Sequence, residues 1–232
     1  MAKVDFTQSM KDLRGYLTFE EMHRMLSYCA SVGDKRTYML ILTLQRTGRR
    51  ISEIVGTKPF IYSPGLRPED IRLEEGLIEW SILKKDHIRA YTVEDRKKPK
   101  SFLEKEQIQK KQKAARRKLI AADKVFIHLL ARYCVECNIA SKDRVFPMSR
   151  KHAWEIIKKV AKECGIEGTR AISPKIFRHS MGVNFVKSHS RDPSAIVKLK
   201  EILAHSKIDI TSIYLQFGQD DIKQDLEKMF NG

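Results

Sequence analysis

The chain has 232 residues, enough for one large domain or two small ones, and at 42% hydrophobic and 32% charged it reads as a folded globular protein. Its net charge of +16 favours polyanionic partners, nucleic acid foremost, although a ribosome-like or membrane-surface role would share that charge. No apolar run approaches the roughly 18 residues that span a bilayer, and the opening MAKVDFTQSMKDLRGYL has no apolar signal core, so the expectation is a cytoplasmic protein with no membrane partner.

Residues 1–16 are expected to be a short N-terminal extension. Thr18 with Glu21 three residues on forms a capping box ahead of an amphipathic helix, FEEMHRMLSYCASV. Asp34 opens a strongly apolar helix, KRTYMLILTLQR, which Thr47-Gly48 breaks. RRISEIV follows as a short helix stopped by Gly56. Three prolines between residues 57 and 68 predict an irregular loop. LIEWSIL and IRAYTV read as two strands joined by a tight turn near KKDH. From Arg96 to Lys118 the chain carries a surplus of Lys and Arg, and an exposed helix or a basic arm is expected there. Its sign imbalance suits contact with phosphates better than a salt-bridged helix, and Lys110, Lys111, Lys113, Arg116, Arg117 and Lys118 are the candidate DNA contacts.

VFIHLLARYCVEC predicts a further helix. Its Cys134 and Cys137 form a single CxxC with no second pair or histidine partner, which favours reduced structural thiols over a zinc or redox centre. SRKHAWEIIKKVAKEC is amphipathic, and Gly165 ends it. Pro174 marks the next helix start, in SPKIFRHSMGVNFVKS, and SAIVKLKEILAH follows. The tail DDIKQDLEKMF places Ile222, Leu226, Met229 and Phe230 on one stripe of a helix at 220–230. The fold class is therefore mainly α with a small antiparallel β-sheet (α+β).

Four separated stretches carry the functional signal: TGRRISEIVG at 47–56, ILKKDHIRAYTV at 82–93, SPKIFRHSMG at 173–182 and LAHSKIDITSIY at 203–214. In this order and spacing they resemble the tyrosine recombinase (phage integrase) family. The first is similar to its T-G-x-R-x-S-E helix start and the third to its H-x-L-R-H-S box. The fourth resembles its L-G-H ending, with a tyrosine nine residues after the histidine. LTFEEMHRML and LRPEDIRLEEGLIEW also resemble family segments.

The resemblance implies that residues 17–232 form a recombinase catalytic domain. It implies a catalytic set of Arg50, Lys84, Lys175, Arg178, His205 and Tyr214, with Lys85 the alternative to Lys84. Glu53 takes the acidic place after Arg50. Two departures stand out: Lys175 replaces the box's usual histidine, and the stretch from Arg178 to His205, with SHSRDPSA, is a few residues longer than usual; the family's L-G-H also reads L-A-H here, with Ala204 in the glycine place.

Such a set fits phosphoryl transfer. Attack on a phosphodiester builds negative charge on its nonbridging oxygens, which two guanidinium forks can clamp. A tyrosine is only about one part in a thousand ionised at pH 7, and neighbouring cations favour its phenolate. Lys175, His205 and the arginines are expected to supply that field, and Lys84 the proton for the leaving 5′-oxygen. The implied product is a covalent 3′-phosphotyrosine on double-stranded DNA, formed with no cofactor or metal.

The family also implies self-association as a tetramer on paired sites, the C-terminal helix passing between protomers. Two other readings share these residues: a DNA-binding relative without turnover, and a type IB topoisomerase-like enzyme that relaxes supercoils.

Overall fold

The structure is a computed structural model that describes residues 16–57, 63–82, 117–166, 172–190, 192–205, 208–212 and 214, the side chains of 209 and 210 apart. The chain divides into two compact units, one built from Met1–Arg50 and Lys151–Gly232, the other from Ile51–Arg150. No helix of the described residues is long and apolar enough to cross a membrane.

The first unit is helical. Its helix α1, Phe19–Ser31, begins with the predicted capping box: the Glu21 amide donates to Thr18 Oγ1 at 3.2 Å, and the Thr18 amide donates to Glu21 Oε2 at 2.8 Å. Helix α2, Lys35–Thr47, is capped by Asp34, whose carboxylate accepts from the Thr37 amide at 2.9 Å. Gly48 closes it in the left-handed region at φ +57, where a Cβ would also stand 2.8 Å from Leu203 Cδ2. Only glycine meets both demands.

Helix α3, Ile51–Ile54, opens the second unit, and α4, Lys124–Glu136, also belongs there. In the first unit lie α5, Arg150–Glu163, α6, Pro174–Ser188, α7, Ala195–Leu203, and the single turn α8, Asp209–Ser212. Helix α2 packs on both α1 and α6, and α7 packs on α6.

The segment ahead of α1 lies along α6 as a strap. Ser180 Oγ accepts the Leu17 amide at 2.6 Å, Asn184 Nδ2 donates to the Leu17 carbonyl at 3.4 Å, and Lys187 Nζ donates to Tyr16 Oη at 3.2 Å. These three side chains are spaced 180, 184, 187, one face of the helix.

The second unit holds a three-stranded antiparallel sheet, ordered β1 (Ile71–Arg72), β2 (Leu77–Ser81), β3 (Arg117–Ala121). Strand β2 alternates as a half-buried strand should, with Ile78 and Trp80 inward. Its partner on one edge is a strand the sequence reading did not mark. The register runs Leu77↔Ala121 to Ser81↔Arg117, so RKLIA pairs along this edge of LIEWS, and residues 82–116 stand between the paired strands. IRAYTV lies outside the described residues. RKLIA went unread as a strand because its first two residues continue a basic run and its alternation is shallow, exposed residues alternating with half-buried ones.

Candidate active site on helix α6

Helix α6 starts where the sequence places it. Pro174 occupies the first turn, where its missing N–H costs nothing. The Trp154 indole of α5 donates to the Ile172 carbonyl at 3.0 Å and anchors the entry. From there Lys175, Arg178, His179 and Gly182 follow at i, i+3, i+4 and i+7 on one face.

Arg178 is the buried centre of this face. It is 8% exposed, and its guanidinium donates to the Gly48 carbonyl at 3.0 Å and the Leu203 carbonyl at 2.7 Å. It thereby ties the end of α2 to the end of α7, two places the sequence marked separately as T-G and L-A-H. A guanidinium keeps its charge in such a setting because its protonated form is too stable to lose.

Arg49 and Arg50 divide their labour. Arg49 is fully buried, its guanidinium donating to the Ile202 carbonyl and to the Thr47 carbonyl. Arg50, the residue expected in the arginine place, is only half-buried. Glu53, next in that motif, is buried on α3 of the second unit.

His205 follows α7. Its Nδ1 lies 2.8 Å from Thr211 Oγ1. Burial, then the charges of Arg178, Arg50 and Arg49, push its pKa down to about 4. The ring is therefore neutral at physiological pH, which corrects the expectation that it adds to a cationic field: three arginines around one half-buried imidazole leave no room for a further positive charge.

Tyr214 is docked in the same unit. It is 4% exposed and shares an apolar cluster with Tyr16, Val183, Val186, Leu199 and Leu203. Its ring stands 5.4 Å from the His179 ring and lies against Gly182. Its amide donates to the Thr211 carbonyl at 3.0 Å. Burial pushes the phenol above its ordinary value, with Arg178 opposing, so in this docked position the net shift runs against phenolate.

Lys175 is exposed on the first turn of α6. Together with burial, the larger cause, it depresses the His179 pKa. The structure thus brings Arg178 into electrostatic range of both His205 and Tyr214, and Arg50 into range of His205.

Lys84, Lys85, Lys110, Lys111, Lys113, Arg116 and the C-terminal helix lie outside the described residues. Arg117 and Lys118 are described, and they belong to β3 rather than to a helix or arm. Arg117 is ion-paired to Asp70 and, through Nε, to Glu79 at 2.7 Å. Lys118 sits opposite Trp80. The expected phosphate contact at Arg117 thus meets a guanidinium already facing two carboxylates.

Sequence reasoning assigned nothing to Gly182, His179, Arg49 or Thr211. The first two stand inside the quoted RHSMG, where a glycine mid-helix signals close approach. Thr211 left no signal beyond its place three residues before Tyr214.

The departure at Ala204 has a measurable cost. Ala204 caps α7 in the left-handed region at φ 50, ψ 47. That conformation costs an L-residue about 1–2 kcal/mol, of which glycine would return part to unfolded-chain entropy, about 0.4–1 kcal/mol. Ala204→Gly should raise stability by about 0.5–1 kcal/mol, a shift of a few degrees in Tm for a chain of this size. A thermal melt checks it.

Among the described residues, no three His, Cys, Asp or Glu side chains gather so as to hold a metal ion. The cysteines are free thiols, Cys134 buried and Cys137 exposed.

The chain is similar to the tyrosine recombinase XerD of Chlorobaculum tepidum, 29% identical over 123 residues that cover 48% of this chain and 38% of that protein. It is similar to XerA of Thermococcus kodakarensis, 24% identical over 218 residues, covering 91% of this chain and 61% of that one. In fold it matches the Tn1549 transposon integrase, solved in complex with transposon right end DNA, at a TM-score of 0.57 and 15% identity, covering 90% of this chain and 65% of the other. The chain thus spans 38% and 61% of the length of the two Xer proteins. The phage integrase family itself matches residues 15–219, a span that takes in α1, the sheet, α6 and Tyr214. The chain belongs to the phage integrase family, with the mostly helical fold and small antiparallel sheet of a tyrosine recombinase catalytic domain.

Proposed function

We propose that this chain cleaves and rejoins DNA strands at specific sites through a covalent 3′-phosphotyrosine. The observation that carries the reading is that a buried guanidinium, Arg178, bonds the Leu203 carbonyl two residues before His205, while Tyr214 packs in one cluster with Leu203. A clamp for anionic oxygens, a neutral imidazole and a phenol share one neighbourhood, which is the equipment a phosphodiester transesterification requires. The Tn1549 integrase, which shares the fold, was solved on transposon end DNA, and the +16 charge suits the same partner.

In this scheme Arg50 and Arg178 hold the nonbridging oxygens of the scissile phosphate. Tyr214 gives its phenolic proton to solvent water and its Oη bonds phosphorus, while the bond from phosphorus to the 5′-oxygen breaks. Lys84 gives that oxygen its proton, and Lys175 adds positive charge. The phosphate ester is conserved, so a 5′-hydroxyl from a second strand reverses the step without an energy source. Glu53 has no proton to move here.

Because Tyr214 is buried and disfavours phenolate where it is docked, DNA binding has to shift it toward the phosphate. Self-association on paired sites, as a tetramer whose C-terminal helices pass between protomers, extends this reading. Lys110, Lys111, Lys113, Arg116, Arg117 and Lys118 are its proposed phosphate contacts, Arg117 by exchanging Asp70 and Glu79 for DNA.

The test is incubation with a nicked suicide substrate, a denaturing gel, and peptide mapping of the shifted band. The expected result is a DNA adduct on Tyr214. Tight binding with no adduct on any end sequence would leave a DNA-binding relative without turnover.

A further inference from the structure

Among the described residues, Thr211 is the one hydrogen-bonded to both His205 and Tyr214. Its side chain is fully buried. Its hydroxyl lies 2.8 Å from His205 Nδ1, and its carbonyl accepts the Tyr214 amide at 3.0 Å.

The direction of the first bond follows from counting protons. A threonine hydroxyl carries one proton and two lone pairs. Among the described residues, His205 Nδ1 is the one polar atom within hydrogen-bond reach of that hydroxyl. If Nδ1–H donated to Oγ1, the hydroxyl proton would be stranded in a buried site, and a stranded buried donor is costly. If the hydroxyl donates instead, its proton is satisfied and Nδ1 is the bare, accepting nitrogen. The ring is neutral, held so by burial and by Arg178, Arg50 and Arg49. A neutral imidazole with a bare Nδ1 carries its proton on Nε2.

We propose that Thr211 is a positioning residue for His205: its hydroxyl donates to Nδ1, fixes the tautomer protonated on Nε2, and so presets Nε2–H as a donor to an anionic oxygen of the substrate phosphate. Without this lock a neutral histidine exchanges between tautomers, and the one with a bare Nε2 would turn a lone pair toward the phosphate. The backbone bond from Tyr214 to Thr211 adds a second consequence. The turn that sets the histidine's tautomer also carries the nucleophile, so both are placed by one residue. This inference rests on the strand-transfer reading above.

The experiment has two arms. In the DNA-free protein, with histidine labelled with ¹⁵N, two-bond ¹H–¹⁵N spectra distinguish the protonated from the bare ring nitrogen. The His205→Gln spectrum identifies which of the seven histidines is His205. The expected wild-type state is Nε2–H. Thr211→Ser should keep it, and Thr211→Val, which preserves shape and removes the hydroxyl, should give a mixture.

In the second arm, single-turnover adduct formation on a suicide substrate should fall roughly tenfold to a hundredfold in Thr211→Val, less than the loss of a whole oxyanion donor costs. DNA affinity should be unchanged, and Thr211→Ser should restore the rate. A wild-type ring protonated on Nδ1, or a Thr211→Val spectrum identical to wild type, overturns the proposal. Should Thr211→Val fail to fold, the wild-type and Thr211→Ser spectra decide it. A wild-type chain that makes no adduct sinks the strand-transfer reading instead, and the spectra then judge the lock on their own.

Discussion

Tyr214→Phe should make no covalent DNA adduct while folding and binding DNA as the parent does. The change removes one oxygen and leaves the ring in the cluster with Val183, Val186, Leu199 and Leu203, so no cavity opens. Among the described residues the Tyr214 hydroxyl has no hydrogen-bond partner whose loss would destabilise the fold. Thermal stability should therefore move by no more than about 0.5 kcal/mol. Affinity for a half-site should hold within about twofold, because binding to DNA is dominated by the many cationic contacts with phosphates. Adduct formation, measured on a suicide substrate, should drop below detection. A Phe variant that still forms a denaturation-resistant adduct would move the nucleophile elsewhere in the chain.

Gly182→Ala should show how firmly that tyrosine is seated. In an unconstrained helix the change stabilises by about 0.5–1 kcal/mol, since alanine loses less entropy on folding. Here the added methyl would fall within the Tyr214 ring, 2.7 Å from Cε2 and nearer still to Cε1 and Cζ. The ring has to leave or the helix has to yield, and overpacking of this kind costs about 1–3 kcal/mol. The net expectation is a loss of stability together with a fall in adduct formation of tenfold or more, which a shift of the reacting atom by about an ångström produces. A double-mutant cycle separates the causes. In a Tyr214→Ala background the clash is absent, and Gly182→Ala should change sign and stabilise. A destabilisation that persists there would mean that the helix backbone, not the tyrosine, needs the glycine.

The sequence reading succeeded where local chemistry and global fold agree. Thr18 with Glu21, Asp34, Gly48 and Pro174 are cap residues whose reasons are local, and each appears at the helix end expected of it. Arg178, His205 and Tyr214, picked out by interval, lie in one unit, where Thr211 bonds both of the latter.

What sequence could not supply was environment. A histidine nine residues from a tyrosine reads as one more cation until the structure half-buries it within range of three arginines. The family interval picks Arg50 over Arg49 but says nothing of burial, and Arg49 is fully buried against the Ile202 carbonyl while Arg50 is half-buried. The partner described on one edge of β2 was missed for a related reason: it begins at Arg117, far along the chain, where propensity marked no strand. Register across a long connection is set by tertiary contacts, which propensity does not encode.

That connection has its own economics of length. Strands β2 and β3 hold each other from Ser81↔Arg117 to Leu77↔Ala121, and residues 82–116 separate them in sequence. The entropy lost in closing such a span grows only with the logarithm of its length, so each doubling costs about 0.6 kcal/mol. The sheet is thus nearly indifferent to how much chain is spliced between its two paired strands. A change in its length clear of Lys84 would therefore leave undisturbed the register of the ladder, the Ile78 and Trp80 side chains behind it, and the Asp70–Arg117–Glu79 cluster at its edge.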